Sequence, residues 1–119
     1  MTRLAQVEFD ERGEVVVARI AGELDLSNVH DIGDALNAAV TSATAGVVLD
    51  LTSLTHLDSA GVRLIFDLRS RLNTARQKLA AVVPEGARIR EVMDLAAVPA
   101  AVPLYTALDD AVASAASRS

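Results

Sequence analysis

Three short runs of aliphatic and β-branched residues, VVVARIAG at 15–22, VVLDL at 47–51 and KLAAVV at 78–83, are separated by stretches whose apolar residues recur at helical spacing. Apolar runs this short read as strands, and VVLDL, which has little polar alternation, reads as a strand buried on both faces. A strand joined to the next through a helix returns the chain in the same direction, so the pattern predicts a mostly parallel sheet with helices packed on it. Val29, Ile32, Leu36, Ala39 and Val40 mark the first helix, with Ser27 or Asn28 as its N-cap. Leu64, Ile65, Leu68 and Leu72 form the inward stripe of a second, over about 60–75. Ile89, Val92 and Met93 suggest a third of two turns. A fourth carries Leu108, Ala111 and Val112 inward, opened by a capping box from Thr106 to Asp109. Ahead of these, LAQVEFD at 4–10 alternates, with Ala5, Val7 and Phe9 on one side, and Gly13 supplies the turn of an N-terminal hairpin. AVPLY at 101–105 is expected to be the last strand, and the tail SAASRS to fray. The order β-β-α-β-α-β-α-β-α describes an α/β fold: a mixed, mostly parallel sheet of about four or five strands with about four helices.

At 119 residues the chain fits a single domain over 1–119. Its net charge of −5 argues against nucleic-acid partners, which need clustered cations. Arg63, Arg69, Arg71, Arg76 and Lys78 read as the solvated face of the second helix and its exit turn. With no cysteine and with His30 and His56 far apart in sequence, disulfides and thiolate metal sites are excluded. The opening MTRLAQVEFDERG has no apolar signal core, and LAAVPAAVPL is cut by Pro99 and Pro103 well short of the roughly 18 residues of a membrane span. A cytoplasmic protein without membrane insertion is expected.

The stretch LDLTSLTHLDSAGVRLIFDL at 49–68 raises the functional question, because a buried strand gives way to polar residues and restarts as a helix at Asp58-Ser59-Ala60-Gly61. A nucleophile elbow would need G-x-S-x-G, and here the first glycine is replaced by Leu57. His56 precedes a turn and His30 belongs to another helix, so a base for Ser59 is not supplied locally. Asp25, Asp50, His56 and Asp58 match neither helical His-x-x-x-His nor calcium-loop spacing, and the phosphate-loop signature is absent. No catalytic residue, metal or cofactor is therefore assigned. Asp58 or Ser59 is a natural helix cap. A serine there is also exposed at the positive end of a helix dipole, where a phosphoryl group could take hydrogen bonds from the N–H groups of Ala60, Gly61 and Val62. The added charge beside Asp58 would then be met by any partner docking on that surface.

Taken together, GELDLSN at 22–28, VVLDLTSLTHLDSAGV at 47–62 and VPLYTALDDAV near the end resemble the STAS domain, specifically the small stand-alone bacterial anti-sigma factor antagonists, over nearly the whole chain. The resemblance implies partner switching. The unmodified protein would bind an anti-sigma factor that is also a serine kinase and so release a sigma factor. Phosphorylation of Ser59 would dissociate the complex, and a serine phosphatase would restore binding. Asp58 and Gly61 match the motif around that serine, and Asp25 matches the acidic residue of the Gly-Glu-Leu-Asp loop. With Ala60, Val62, Arg63 and Phe66 they are the expected partner-binding residues, Val62 and Phe66 as partly exposed positions on the helix border. Ala60 stands where many relatives carry a second serine, and the two prolines of LAAVPAAVPLY depart from the family pattern. The alternative implied by the resemblance is an adaptor subunit of a lipid-transport ATPase. The oligomeric state is left open.

Overall fold

The structure, a computed structural model, describes residues 6–117. Its centre is a parallel ladder of β2 (Val15–Leu24), β3 (Gly46–Asp50) and β5 (Lys78–Val82), in which Val17 faces Val48 and Val48 faces Ala80. The antiparallel β1 (Gln6–Arg12) lies outside β2, and the two-residue β6 (Leu104–Tyr105) lies outside β5. The hairpin forms as expected. Its first strand is described from Gln6 and runs two residues beyond the expected end at Asp10; Leu4 and Ala5 lie outside the described residues. Phe9 remains 41% exposed, and among the described residues β1 pairs only with β2.

Alternation along the central strands divides their side chains between two apolar layers. Val16, Ala18, Ile20, Val47, Leu49, Leu79 and Ala81 join the larger one, closed by Ile32 and Leu36 of α1 (Val29–Ala39), Ile65, Leu68 and Leu72 of α2 (Ser59–Thr74), and Ile89 and Met93 of α3 (Arg88–Leu95). Val15, Val17, Val48, Ala80 and Val82 face the other way, onto Ala111 and Ala115 of α5 (Leu108–Ala116). The small alanines let α5 lie close to the sheet.

The mixed, mostly parallel sheet is found as expected, with six strands among the described residues. The sixth is β4 (Leu54–Leu57), within a stretch that reads from sequence as a polar break. It exists because β2 is ten residues long while β3 pairs only with Val15–Arg19. The far end of β2 would otherwise have unpaired N–H and C=O groups. Gly22, at φ +93°, lets the ladder shift register, and Leu24 then pairs with Leu57. Five helices stand among the described residues, close to the four or so expected. The extra one, the single turn α4 (Val98–Ala101), takes only Ala101 from the expected 101–105 strand, whose end forms β6. The final helix starts after Ala107 with no side-chain cap bond, so Thr106 and Asp109 form no capping box. It also runs to Ala116, which makes Ser114, Ala115 and Ala116 of the tail expected to fray helical, while residues 118–119 lie outside the described part. Among the described residues no helix is long and apolar enough to cross a membrane.

Candidate functional site

The loop after β2 and the loop after β4 meet because β2 and β4 are paired neighbours running in the same direction. Asp58 is the point of contact. Its Oδ1 accepts from the Gly61 N–H at 3.0 Å, which caps α2, and its Oδ2 accepts from the Leu26 N–H at 3.2 Å across the gap. Its own N–H donates to the Leu24 carbonyl at 3.3 Å. One carboxylate thus satisfies an orphan donor at the helix start and ties that start to the neighbouring loop. Of the two candidate caps, Asp58 fills the role. Ser59 is left as the first residue of α2, exposed.

Three backbone donors were expected to be free for a group on Ser59. Two of them are engaged: Gly61 N–H with the Asp58 side chain, and Val62 N–H with the Asp58 carbonyl at 3.0 Å. That leaves Ala60. Gly61 is needed for close approach. A Cβ there would lie 2.5 Å from Leu57 Cδ1 and 2.8 Å from the Leu24 carbonyl oxygen. The first turn of α2 is pressed against the ends of β2 and β4, and this also buries Val62, which is only 8% exposed. Val62 is therefore not the partly exposed border residue that helical spacing suggested; it supports the surface from beneath. Phe66 is half-buried against the main core, and Arg63 is exposed.

The Asp25 loop holds itself. Asp25 Oδ1 accepts from Ser27 N–H at 2.9 Å and from Ser27 Oγ–H at 2.5 Å. Asn28, the N-cap residue of α1, is buried, and its side chain points back into the loop. Its Oδ1 accepts from Asp25 N–H at 3.1 Å and its Nδ2 donates to the Glu23 carbonyl at 2.7 Å. The Ser27 hydroxyl and then the Ser27 N–H hold the Asp25 carboxyl below its ordinary value of 3.8, with a smaller contribution from His56 and a partial offset from desolvation. A depressed carboxyl favours the folded loop above pH 3.8, and that contribution is lost as pH falls through the lower, folded value. The Ser27 amide resonance is expected to titrate with a midpoint below 3.8 in an NMR pH series. A midpoint at or above that value would mean the Asp25–Ser27 bonds do not persist in solution.

Asp50, considered beside Asp25, His56 and Asp58 in the sequence, is engaged elsewhere. It accepts from Thr52 N–H and Oγ–H at 3.1 and 2.6 Å and lies 3.5 Å from Arg19. Among the described residues no three His, Cys, Asp or Glu side chains gather as metal ligands.

Sequence reasoning missed Leu26, an apolar residue 78% exposed beside Asp58. The signal was present, since a leucine inside the polar turn Asp25-Leu26-Ser27-Asn28 has no helical or strand period to bury it. Leu26 borders a groove of about 390 Å³ between α1 and α2, lined also by Val29, Gly33, Ala60 and Leu64. Leu64, expected to point inward with Ile65, is half-buried and lies over Gly33, where an added Cβ would come within 3.1 Å of its Cδ1. Asp34 and Asp67 stand on opposite walls of this groove.

A profile of the STAS domain matches residues 6–111. The chain belongs to the STAS domain family. No curated protein matches it. Among solved structures, this STAS domain is similar to an anti-sigma factor antagonist from Mycobacterium paratuberculosis, with a TM-score of 0.84, 23% identity, and 95% of each chain covered. It is also similar to the anti-sigma factor antagonist SpoIIAA in its unphosphorylated form, with a TM-score of 0.68, 22% identity, and 92% and 94% covered. The Bacillus cell fate determinant SpoIIAA in the phosphorylated form gives a TM-score of 0.69 at 21% identity, with 92% and 98% covered. At these identities the likeness establishes the shared STAS fold.

Proposed function

We infer that this STAS protein is an anti-sigma factor antagonist whose binding is switched off by phosphorylation of Ser59. The observation that carries the reading is the exposed Ser59 at the start of α2, seated between the Asp58 cap and the Asp25–Leu26 loop. The fold it shares with anti-sigma factor antagonists, one of them solved in a phosphorylated form, supports the same reading. The partner is an anti-sigma factor with serine kinase activity, which docks on Asp25, Leu26, Asp58, Ser59, Ala60 and Arg63, with Phe66 on the flank and Gly61 and Val62 beneath. The kinase transfers the terminal phosphoryl group of a nucleoside triphosphate to Ser59 Oγ, which gives up its proton, and a serine phosphatase hydrolyses the ester. The STAS protein itself carries out no chemistry. It works in the cytoplasm.

The local structure suits such a switch. The Asp58 bonds to Gly61 and Leu26 involve neither the Ser59 hydroxyl nor its Cβ, so the fold survives the modification while about two negative charges enter the docking surface. Intact-mass measurement of the protein from its native host is expected to show a phosphate-sized increment that Ser59→Ala loses. Ser59→Asp is expected to bind the co-purifying kinase at least about tenfold more weakly, the effect of one unfavourable charge at an interface. Equal binding by Ser59→Asp and the parent would defeat the switch. Co-purification with a lipid-transport ATPase and no modification would assign the STAS domain to an adaptor subunit.

A further inference from the structure

Arg63 lies four residues after Ser59 and four before Asp67 on the same face of α2, so it can reach only one of them at a time. At present it faces Asp67, with Nε 4.0 Å from Oδ2, and the two side chains are 84% and 72% exposed. This is a weak pair, long and solvated. It also has the less favourable orientation on a helix, with the cation N-terminal to the anion. A phosphoryl group on Ser59 reverses each disadvantage. It places the anion N-terminal to Arg63, brings about two charges where Asp67 has one, and offers oxygens that the planar guanidinium fork can grip in pairs. Asp67 and Arg63 both line the groove between α1 and α2, with Asp34 on the other wall.

We propose that Arg63 is the internal reader of the Ser59 mark: on phosphorylation its guanidinium leaves Asp67 for the phosphate, so that Asp67 loses its cation on the wall of the α1–α2 groove. The inference rests on the Ser59 reading above and deepens it. The modification is felt in two places, at the start of α2 and along the groove beyond Leu26 and Leu64. A partner that seats a side chain in that groove therefore meets a changed charge even where it does not touch Ser59.

The test installs phosphoserine at position 59 during translation, so it does not depend on finding a kinase. Phosphorus NMR then follows the titration of the phosphate in the parent, in Arg63→Gln and in Asp67→Asn. Asp58, beside the phosphate, opposes its second ionisation, but it is present in all three and cancels in the comparison. The phosphate is expected to titrate about 0.3 pH unit lower in the parent than in Arg63→Gln, the scale of one helical ion pair, and no higher in Asp67→Asn than in the parent. The Arg63 Nε resonance is expected to shift between the phosphorylated and unphosphorylated parent. Equal phosphate midpoints in the parent and Arg63→Gln, with an unmoved Nε resonance, would overturn the inference. A Ser59 that is never modified in the cell would instead refute the switch and leave this result standing.

Discussion

Gly61→Ala is expected to destabilise the protein by about 3 kcal/mol, the upper range for forcing a methyl group into a filled core. Helix propensity predicts the opposite sign, since alanine is favoured over glycine by about 1 kcal/mol inside a helix. Packing decides the outcome. The new Cβ would sit 2.5 Å from Leu57 Cδ1, which could swing away, but also 2.8 Å from the Leu24 carbonyl oxygen, which belongs to β2 and cannot. The first turn of α2 must lift, stretching the Asp58 bonds to Gly61 and Leu26. Urea unfolding of the variant checks the magnitude. A loss below about 1 kcal/mol, or the gain of that size that propensity alone predicts, would show that the helix start floats over the strand ends instead of being clamped to them.

Asp58→Ala is expected to cost about 2 kcal/mol, combining a lost N-cap with a lost charge-assisted bond between loops. Asp58→Asn keeps one acceptor oxygen but turns an NH2 group toward the second donor, so about half of that loss is expected. The two donors also separate the two roles. Faster amide exchange at Gly61 reports the cap, and faster exchange at Leu26 reports the bridge to the Asp25 loop. Unchanged protection at Leu26 in Asp58→Ala would mean that the pairing of β2 with β4 alone holds the loops together. The same variant is expected to weaken partner docking, because Leu26 would no longer be fixed beside Ser59.

Much of the site was legible from local chemistry. Asp58 was a candidate cap because a carboxylate before a helical run has orphan donors to satisfy, and it does cap α2. The Asp25 loop stands just after β2, a strand legible in the sequence, but Ser59 is brought beside it by β4, which the sequence reads as a polar break. What local chemistry could not supply was the set of contacts between them. The Asp58–Leu26 bond spans 32 residues of sequence, and nothing near either residue announces it. The donors at Gly61 and Val62 are not open to a phosphate because Asp58 takes both, the first through Oδ1 and the second through its carbonyl. Leu64 and Val62 exchanged roles for a similar reason. Helical spacing places both near an apolar stripe, but which of them is buried depends on whether α2 meets the sheet or α1 at that turn.

The sequence by itself determined the α/β alternation, the strands β2, β3 and β5, the two-layer division of their side chains, and the Asp58–Ser59 junction as the place where α2 begins. These are short-range properties, set by the two periodicities and by the need of helix ends for hydrogen-bond partners. Only the tertiary structure decided that β4 exists, that Gly61 cannot carry a side chain, that Leu26 stands in solvent and that a groove opens between α1 and α2. Each of these depends on what a distant segment leaves uncovered. β4 is a strand because β3 is shorter than β2, and Gly61 is a glycine because Leu24, 37 residues earlier, ends where the helix must start.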